Sequence, residues 1–161
     1  MKDSDLNLLD AIRIAMEAEQ KAADFYADAV QETANPLGRE LFEQLAEFES
    51  HHYRKLAALE KSLRDEGAFI GYEGKELHVP ALGEADGFEE AHRASVMGII
   101  SAALDVEREA EKRYAALAKR STDPAGRSMF KRLSEEEHTH YRVLNDAYWS
   151  LNDHGVWAWS E

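Results

Sequence analysis

The sequence predicts an all-α protein: a four-helix bundle made of two duplicated helical hairpins joined by a long crossover. Three observations carry that prediction. Four stretches space their apolar residues alternately three and four apart, which lines one face of a helix. The 161-residue chain also repeats itself at an offset of 88, so that Glu19, Tyr26, Pro36, Glu49 and His52 recur as Glu107, Tyr114, Pro124, Glu137 and His140 without a gap. Finally, charged residues make up 32% and hydrophobic residues 44% of the chain, with three prolines in all, the composition of a protein built from long helices. Paired copies of a hairpin imply a pseudo-twofold axis, each copy supplying half of any site between them.

The first helix is expected from Ser4 or Asp5 to about Thr33. Its core stripe is Ile12, Ala15, Glu19, Ala22, Tyr26 and Ala29, while Glu17, Gln20, Lys21, Asp24 and Asp28 fall off that face. Asn35-Pro36 ends this helix and opens the next, Asn35 as the cap and Pro36 in the first turn, where its missing N–H is not needed. The second helix runs to about Glu66 with the stripe Phe42, Leu45, Glu49, His52, Leu56, Leu59 and Leu63. So short a connection makes the two helices antiparallel neighbours. Between Gly67 and about Phe88 the period is lost, and Gly71, Gly74, Pro80, Gly83 and Gly87 punctuate the segment. A helix of about 28 residues is about 42 Å long, and this segment, extended, can run the length of the bundle as a crossover. The third helix is expected from about Glu89 to Ser121 with the stripe Ile100, Ala103, Glu107, Ala110, Tyr114 and Leu117. Asp123-Pro124 repeats the cap-and-proline turn, and the fourth helix follows to about Leu151 with Phe130, Leu133, Glu137, His140, Leu144, Ala147 and Leu151. The bundle thus occupies residues 1–151 and leaves an aromatic tail, 152–161, holding Trp157 and Trp159, with Trp149 just before it. These tryptophans are expected to cover an exposed side of the bundle or, alternatively, to form part of a subunit contact.

The formal charge of −13 argues against nucleic acid as a partner, since phosphate binding requires the opposite sign. There is no cysteine, which excludes disulfides, cysteine-ligated clusters and thiol nucleophiles. The N-terminal residues carry no apolar run of signal-peptide type, and nowhere do enough apolar residues follow one another to cross a membrane. A soluble, cytoplasmic protein with no membrane partner is expected.

Each stripe is interrupted by acid, and two of them by acid and imidazole. In Glu49-Ser50-His51-His52 and Glu137-His138-Thr139-His140 the outer residues are three apart, so both leave the same helix face about 5–6 Å from each other and can bind a common metal. Glu19 and Glu107, each 30 residues before a Glu-x-x-His, project from the two other helices toward the same depth. Four carboxylates and two imidazoles suit two divalent ions, whose charge cancels that of the acids. Oxygen-rich ligation with one imidazole per metal favours iron or manganese, with zinc as a possible substitute, and oxidation to two ferric ions calls for a bridging oxide or hydroxide. A buried salt-bridge network is the structural alternative, but it leaves four acids facing two histidines. Glu47, Glu135, His51 and His138 lie off the stripes and are expected near solvent, His51 alternatively beside the ligands. Tyr26 and Tyr114 are most simply core aromatics, the alternative being a radical relay or a hydrogen bond near the metals. His78, His92 and His154 carry no spacing signal.

On Met16-Glu17-Ala18-Glu19 through Phe25-Tyr26, on Phe42 through Glu49 to His52, and on their second-half counterparts, the chain resembles the rubrerythrin branch of the ferritin-like superfamily. The closing Asp146-Ala147-Tyr148-Trp149 and Trp157 also resemble the tail of rubrerythrin-like proteins that lack a rubredoxin domain. The resemblance spans roughly Leu8 to Leu151. It implies a ferritin-like bundle in which Glu19, Glu49, His52, Glu107, Glu137 and His140 bind two irons, and an activity that reduces hydrogen peroxide or oxygen with electrons from a separate donor protein. Two departures stand out: no cysteine means no rubredoxin module within the chain, and Ala110, with Ala22 in the first half, occupies the place where rubrerythrins carry an additional Glu. The six-residue set is therefore equally similar to the ferroxidase site of bacterioferritin. Peroxidase, ferroxidase with iron storage, and a metal-stabilised interaction domain without turnover are the functions to separate, with a homodimer expected for the first.

Overall fold

A computed structural model describes residues 3–82 and 89–160, without the side chains of residues 3–6. Its four helices are α1 (Asp3–Glu32), α2 (Pro36–Glu66), α3 (Arg93–Arg120) and α4 (Pro124–His154). The expected caps form: the Asn35 side chain accepts from the Leu37 N–H at 2.8 Å, and Asp123 accepts from Ala125 at 2.8 Å and Gly126 at 3.2 Å. Gly67 and Gly155 close α2 and α4 at φ of 67° and 72°, a left-handed conformation open to glycine at little cost.

Two boundaries differ from expectation. α3 begins at Arg93 rather than near Glu89, because the residues before it are held in other ways. Glu89 bridges to Val156, and the Glu90 carboxylate accepts the N–H groups of Ala34, Asn35 and His92 and the indole N–H of Trp157. α4 runs past Leu151 to His154, since nothing stops it before the Gly155 cap.

α1 packs along α2, α3 along α4, and α1 meets α3 across the pseudo-twofold arrangement. The apolar interior falls into two clusters. One gathers Tyr26, Phe42, Leu45, Ile100, Leu144 and Trp157; the other gathers Ile12, Leu56, Leu59, Tyr114, Phe130 and Leu133. Every helix passes from one cluster to the other at its polar stripe residues, as α2 does between Leu45 and Leu56 and α4 between Leu133 and Leu144. The six acids and histidines therefore form a polar layer sandwiched between two apolar ones.

The crossover runs lengthwise, as expected. Phe69, Ile70 and Tyr72 pack on the Leu56 cluster, whereas Leu77 and Val79 pack on the Leu45 cluster. Its final stretch, 83–88 with Gly83 and Gly87, lies outside the described residues. Duplicated glycines admit the pieces that close the two ends: a Cβ at Gly38 would overlap the Trp157 indole, and one at Gly126 would overlap the Phe69 ring. Trp157 and Trp159 are buried against the bundle, the Trp159 indole donating to the Pro80 carbonyl at 3.2 Å. Trp149 departs from the covering role expected of all three, being 52% exposed. Among the described residues no helix is long and apolar enough to cross a membrane.

Candidate metal centre

The six predicted residues come together. Glu19, Glu49, His52, Glu107, Glu137 and His140 are all buried, and they form two donor groups. Glu19, Glu49, His52 and Glu137 make one, Glu49, Glu107, Glu137 and His140 the other, the donor atoms of each lying within 4.8 Å of one another. Glu49 and Glu137 belong to both groups, so the two Glu-x-x-His carboxylates stand in the middle. Each lone Glu pairs with the histidine of its own hairpin, Glu19 at 3.4 Å from His52 Nδ1 and Glu107 at 3.5 Å from His140 Nδ1. The shared carboxylates reach across the axis: Glu137 Oε1 is 2.9 Å from His52 Nδ1, and Glu49 Oε1 is 3.1 Å from His140 Nδ1.

These groups touch without being aimed at one another. Glu49 Oε1, both oxygens of Glu137, and Nδ1 of His52 and of His140 are buried and, among the described residues, make no directed hydrogen bond despite those short separations. Orphaned buried polar atoms on this scale are costly, and here they belong to the donor atoms that surround a common space. Hard carboxylate oxygens with one imidazole nitrogen per group suit divalent first-row cations. The residues fit two metal ions.

The electrostatics follow from burial and proximity. Burial, followed by the charges of its neighbours Glu137, Glu19 and Glu107, raises Glu49 well above the usual carboxylate range. Burial and then Glu107 and Glu19 do the same to Glu137. Burial also raises Glu19, but the charge and hydrogen bond of His52 outweigh it and hold that carboxyl at about 2. For His52, burial disfavours the imidazolium, yet Glu19 and Glu136 beside it push its pKa well above the ordinary value. Without a cation, then, Glu49, Glu137 and His52 are pushed toward their protonated forms, and a bound cation would displace those protons.

Tyr26 and Tyr114 are core aromatics, as expected, and their hydroxyls also hydrogen-bond within the candidate centre. The Tyr26 hydroxyl donates to Glu107 at 2.5 Å, and Tyr114 donates to Glu19 at 2.5 Å. Each tyrosine thus steadies the lone Glu of the opposite hairpin. Glu47 is exposed and paired with Arg54 at 2.9 Å, Glu135 is exposed, and His138 lies 3.1 Å from Glu111 near the surface. His51 is half-buried beside the Tyr72 ring. Ala22 and Ala110 line a largely apolar cavity of about 420 Å³ between α1 and α3, walled also by Ala18, Phe25 and Val106, that reaches Glu19 and Glu49.

One residue at the centre escaped the sequence reading. Glu136, next to Glu137, is buried with Oε1 3.4 Å from His52 Nε2. The available signal was a flaw in the repeat: its counterpart 88 residues earlier is Phe48, and a charge where the other copy has a core aromatic is not a solvated face.

A family model described as Rubrerythrin matches residues 1–60 and 98–156. These stretches hold all six donor residues and omit the crossover and the start of α3. No curated protein and no solved structure matches the chain. With most of the sequence matched, four helices in the expected order and the paired donor groups between them, the chain belongs to the rubrerythrin family and has its ferritin-like four-helix fold.

Proposed function

We propose that the protein is a non-haem di-iron oxidoreductase of rubrerythrin type that reduces hydrogen peroxide, or oxygen, in the cytoplasm with electrons from a separate donor protein. The observation that carries this reading is the sharing of Glu49 and Glu137 between two four-donor groups, which suits a pair of metals acting on one small substrate. Glu19, Glu49, His52, Glu107, Glu137 and His140 would hold the irons, with manganese or zinc as substitutes. The bound ferrous pair would supply two electrons to an O–O bond.

The chain's own groups provide the setting. Tyr26 and Tyr114 hold the outer carboxylates by hydrogen bonds, limiting their movement. Phe48 packs edge-on against both histidine rings, at centroid separations of 5.0 and 4.3 Å, and limits their movement. The cavity beside Ala22 and Ala110 offers a small oxidant a route to Glu19 and Glu49. The 161 residues hold no cysteine to ligate an electron-carrying cluster, which supports a separate donor.

A second reading, a ferroxidase that binds and stores iron, is favoured by one observation: alanine rather than a seventh carboxylate stands at position 110. Mixing the diferrous protein with substoichiometric peroxide and, separately, with oxygen in a stopped-flow instrument tests the proposal. Faster oxidation by peroxide is the expected result; equal or faster oxidation by oxygen would overturn the peroxidase, and no oxidation by either would leave a metal-stabilised interaction domain. Size-exclusion chromatography should give a homodimer rather than the cage that storage needs.

A further inference from the structure

The duplication that builds the centre fails at one buried place, and that failure makes the two halves unequal. Both histidines turn Nδ1 toward the carboxylates, which leaves Nε2 facing outward. On the His52 side Nε2 lies 3.4 Å from Glu136 Oε1. On the other side, where the repeat places Phe48, the His140 ring meets an aromatic edge at 4.3 Å and its Nε2 meets no protein acceptor among the described residues.

Glu136 has further partners. It accepts the Tyr72 hydroxyl at 2.5 and 2.9 Å and the Lys75 backbone N–H at 3.2 Å, and Arg132 lies 3.6 Å away. Tyr72 and Lys75 belong to the crossover. The same carboxylate therefore faces the imidazole on one side and holds the middle of the crossover on the other.

We propose that Glu136 is a positioning residue that ranks the two metal positions and ties the crossover to the stronger one. Accepting the His52 Nε2–H fixes the tautomer that leaves the Nδ1 lone pair turned inward, and a carboxylate partner makes an imidazole the better donor. His140 has neither aid. The position built by Glu19 and His52 fills first, and the position built by Glu107 and His140 fills second. Removing a carboxylate that orients a metal-bound histidine typically weakens metal binding by roughly 10–100-fold, so the two steps should differ by about tenfold or more. Because Glu136 also holds Tyr72 and Lys75, filling the first position steadies the crossover, and by reciprocity an ordered crossover favours that filling.

This inference rests on the six residues binding metal but not on any redox activity, so cobalt(II) serves as the probe. Metal-free protein is titrated with Co²⁺ by calorimetry while the visible absorption of the bound ion is followed. Wild type should show two steps, His52→Ala removing the tighter and His140→Ala the weaker. Glu136→Leu should weaken the tighter step roughly 10–100-fold and leave the weaker unchanged, and Glu136→Gln, which keeps an acceptor, should recover part of the loss. Two equal steps in wild type, or equal weakening of both by Glu136→Leu, would overturn the ranking. No binding at all would overturn the metal centre itself, which is a distinguishable failure. Limited proteolysis within residues 67–82 reads the coupling: the first equivalent of Co²⁺ should slow cleavage in wild type but not in Glu136→Leu, and a cleavage rate indifferent to Co²⁺ would overturn it. Should Glu136→Leu not fold, Tyr72→Phe removes a donor to Glu136 without entering the core; it should speed cleavage and weaken the tighter step alone, and the absence of both effects would equally overturn the proposal.

Discussion

Replacing Glu137 by Gln should stabilise the metal-free protein at pH 8 and abolish its stabilisation by metal. Glu137 and Glu49 present oxygens within 4.8 Å of each other, and two like charges at that separation repel by about 3.5 kcal/mol at an effective dielectric constant of about 20. His52 at 2.9 Å offsets part of this. Neither Glu137 oxygen accepts a directed hydrogen bond that the substitution would forfeit, and an amide brings N–H donors that the neighbouring carboxylates can accept. A net gain of about 1–3 kcal/mol is expected, which for a chain of this size raises the melting temperature by about 3–10 °C. The sign with pH is fixed by the direction of the shift. Glu137 and Glu49 titrate above the ordinary carboxylate value when folded, so their contribution is whole below about pH 4.3 and is lost as the pH rises through the raised values. His52, also raised, acts in the same direction above about pH 6.5. The advantage of the Gln variant should therefore be large at pH 8 and small at pH 5. Excess Mn²⁺ should reverse the order, because wild type gains about 4.1 kcal/mol at about a thousand times its dissociation constant, whereas the variant lacks a donor shared by both groups. Scanning calorimetry with chelator and with Mn²⁺, at both pH values, provides the measurement. A variant less stable than wild type at pH 8 in chelator, or equally stabilised at pH 5, would refute the repulsion on which the reasoning rests.

Tyr26→Phe and Tyr114→Phe each remove the donor to a buried carboxylate and should cost about 1–3 kcal/mol in urea denaturation; no loss in either variant would deny them a role in holding Glu107 and Glu19. Glu90→Ala deprives three backbone N–H groups and the Trp157 indole of their acceptor, for an expected loss of about 2–4 kcal/mol. Burial raises the Glu90 pKa, but those hydrogen bonds outweigh it and lower the value overall, so the difference from wild type should shrink as the pH falls below about 4.3; urea denaturation followed by tryptophan fluorescence at several pH values would report it, and a pH-independent difference would contradict it. Gly38→Ala drives a methyl into the Trp157 indole and should cost about 1–3 kcal/mol with a red shift of tryptophan emission, whereas unchanged emission and stability would mean the tail does not seat there.

Much of this protein is determined by its linear sequence. The stripes through Glu19, Glu49, His52, Glu107, Glu137 and His140 are legible because helical spacing is a local property, and a repeat that keeps its offset shows that both copies need the same residues at the same depth. The Asn35 and Asp123 caps are equally local, since a side chain two residues from an N–H needs no distant partner. Other features depend on how far and at what angle separate helices approach, which no single stretch encodes. Only the packing decides that Glu49 and Glu137 stand between the two groups, and that Tyr26 serves Glu107 while Tyr114 serves Glu19. Only packing brings Tyr72 and Lys75 of an aperiodic crossover onto Glu136, and only the hydrogen bonds of Glu90 to a distant turn and to Trp157 delay the start of α3 to Arg93. Periodicity gives each helix a buried face, but a hydrogen bond is made or missed within a few tenths of an ångström, and that distance is settled when all four helices and the crossover close on one another together.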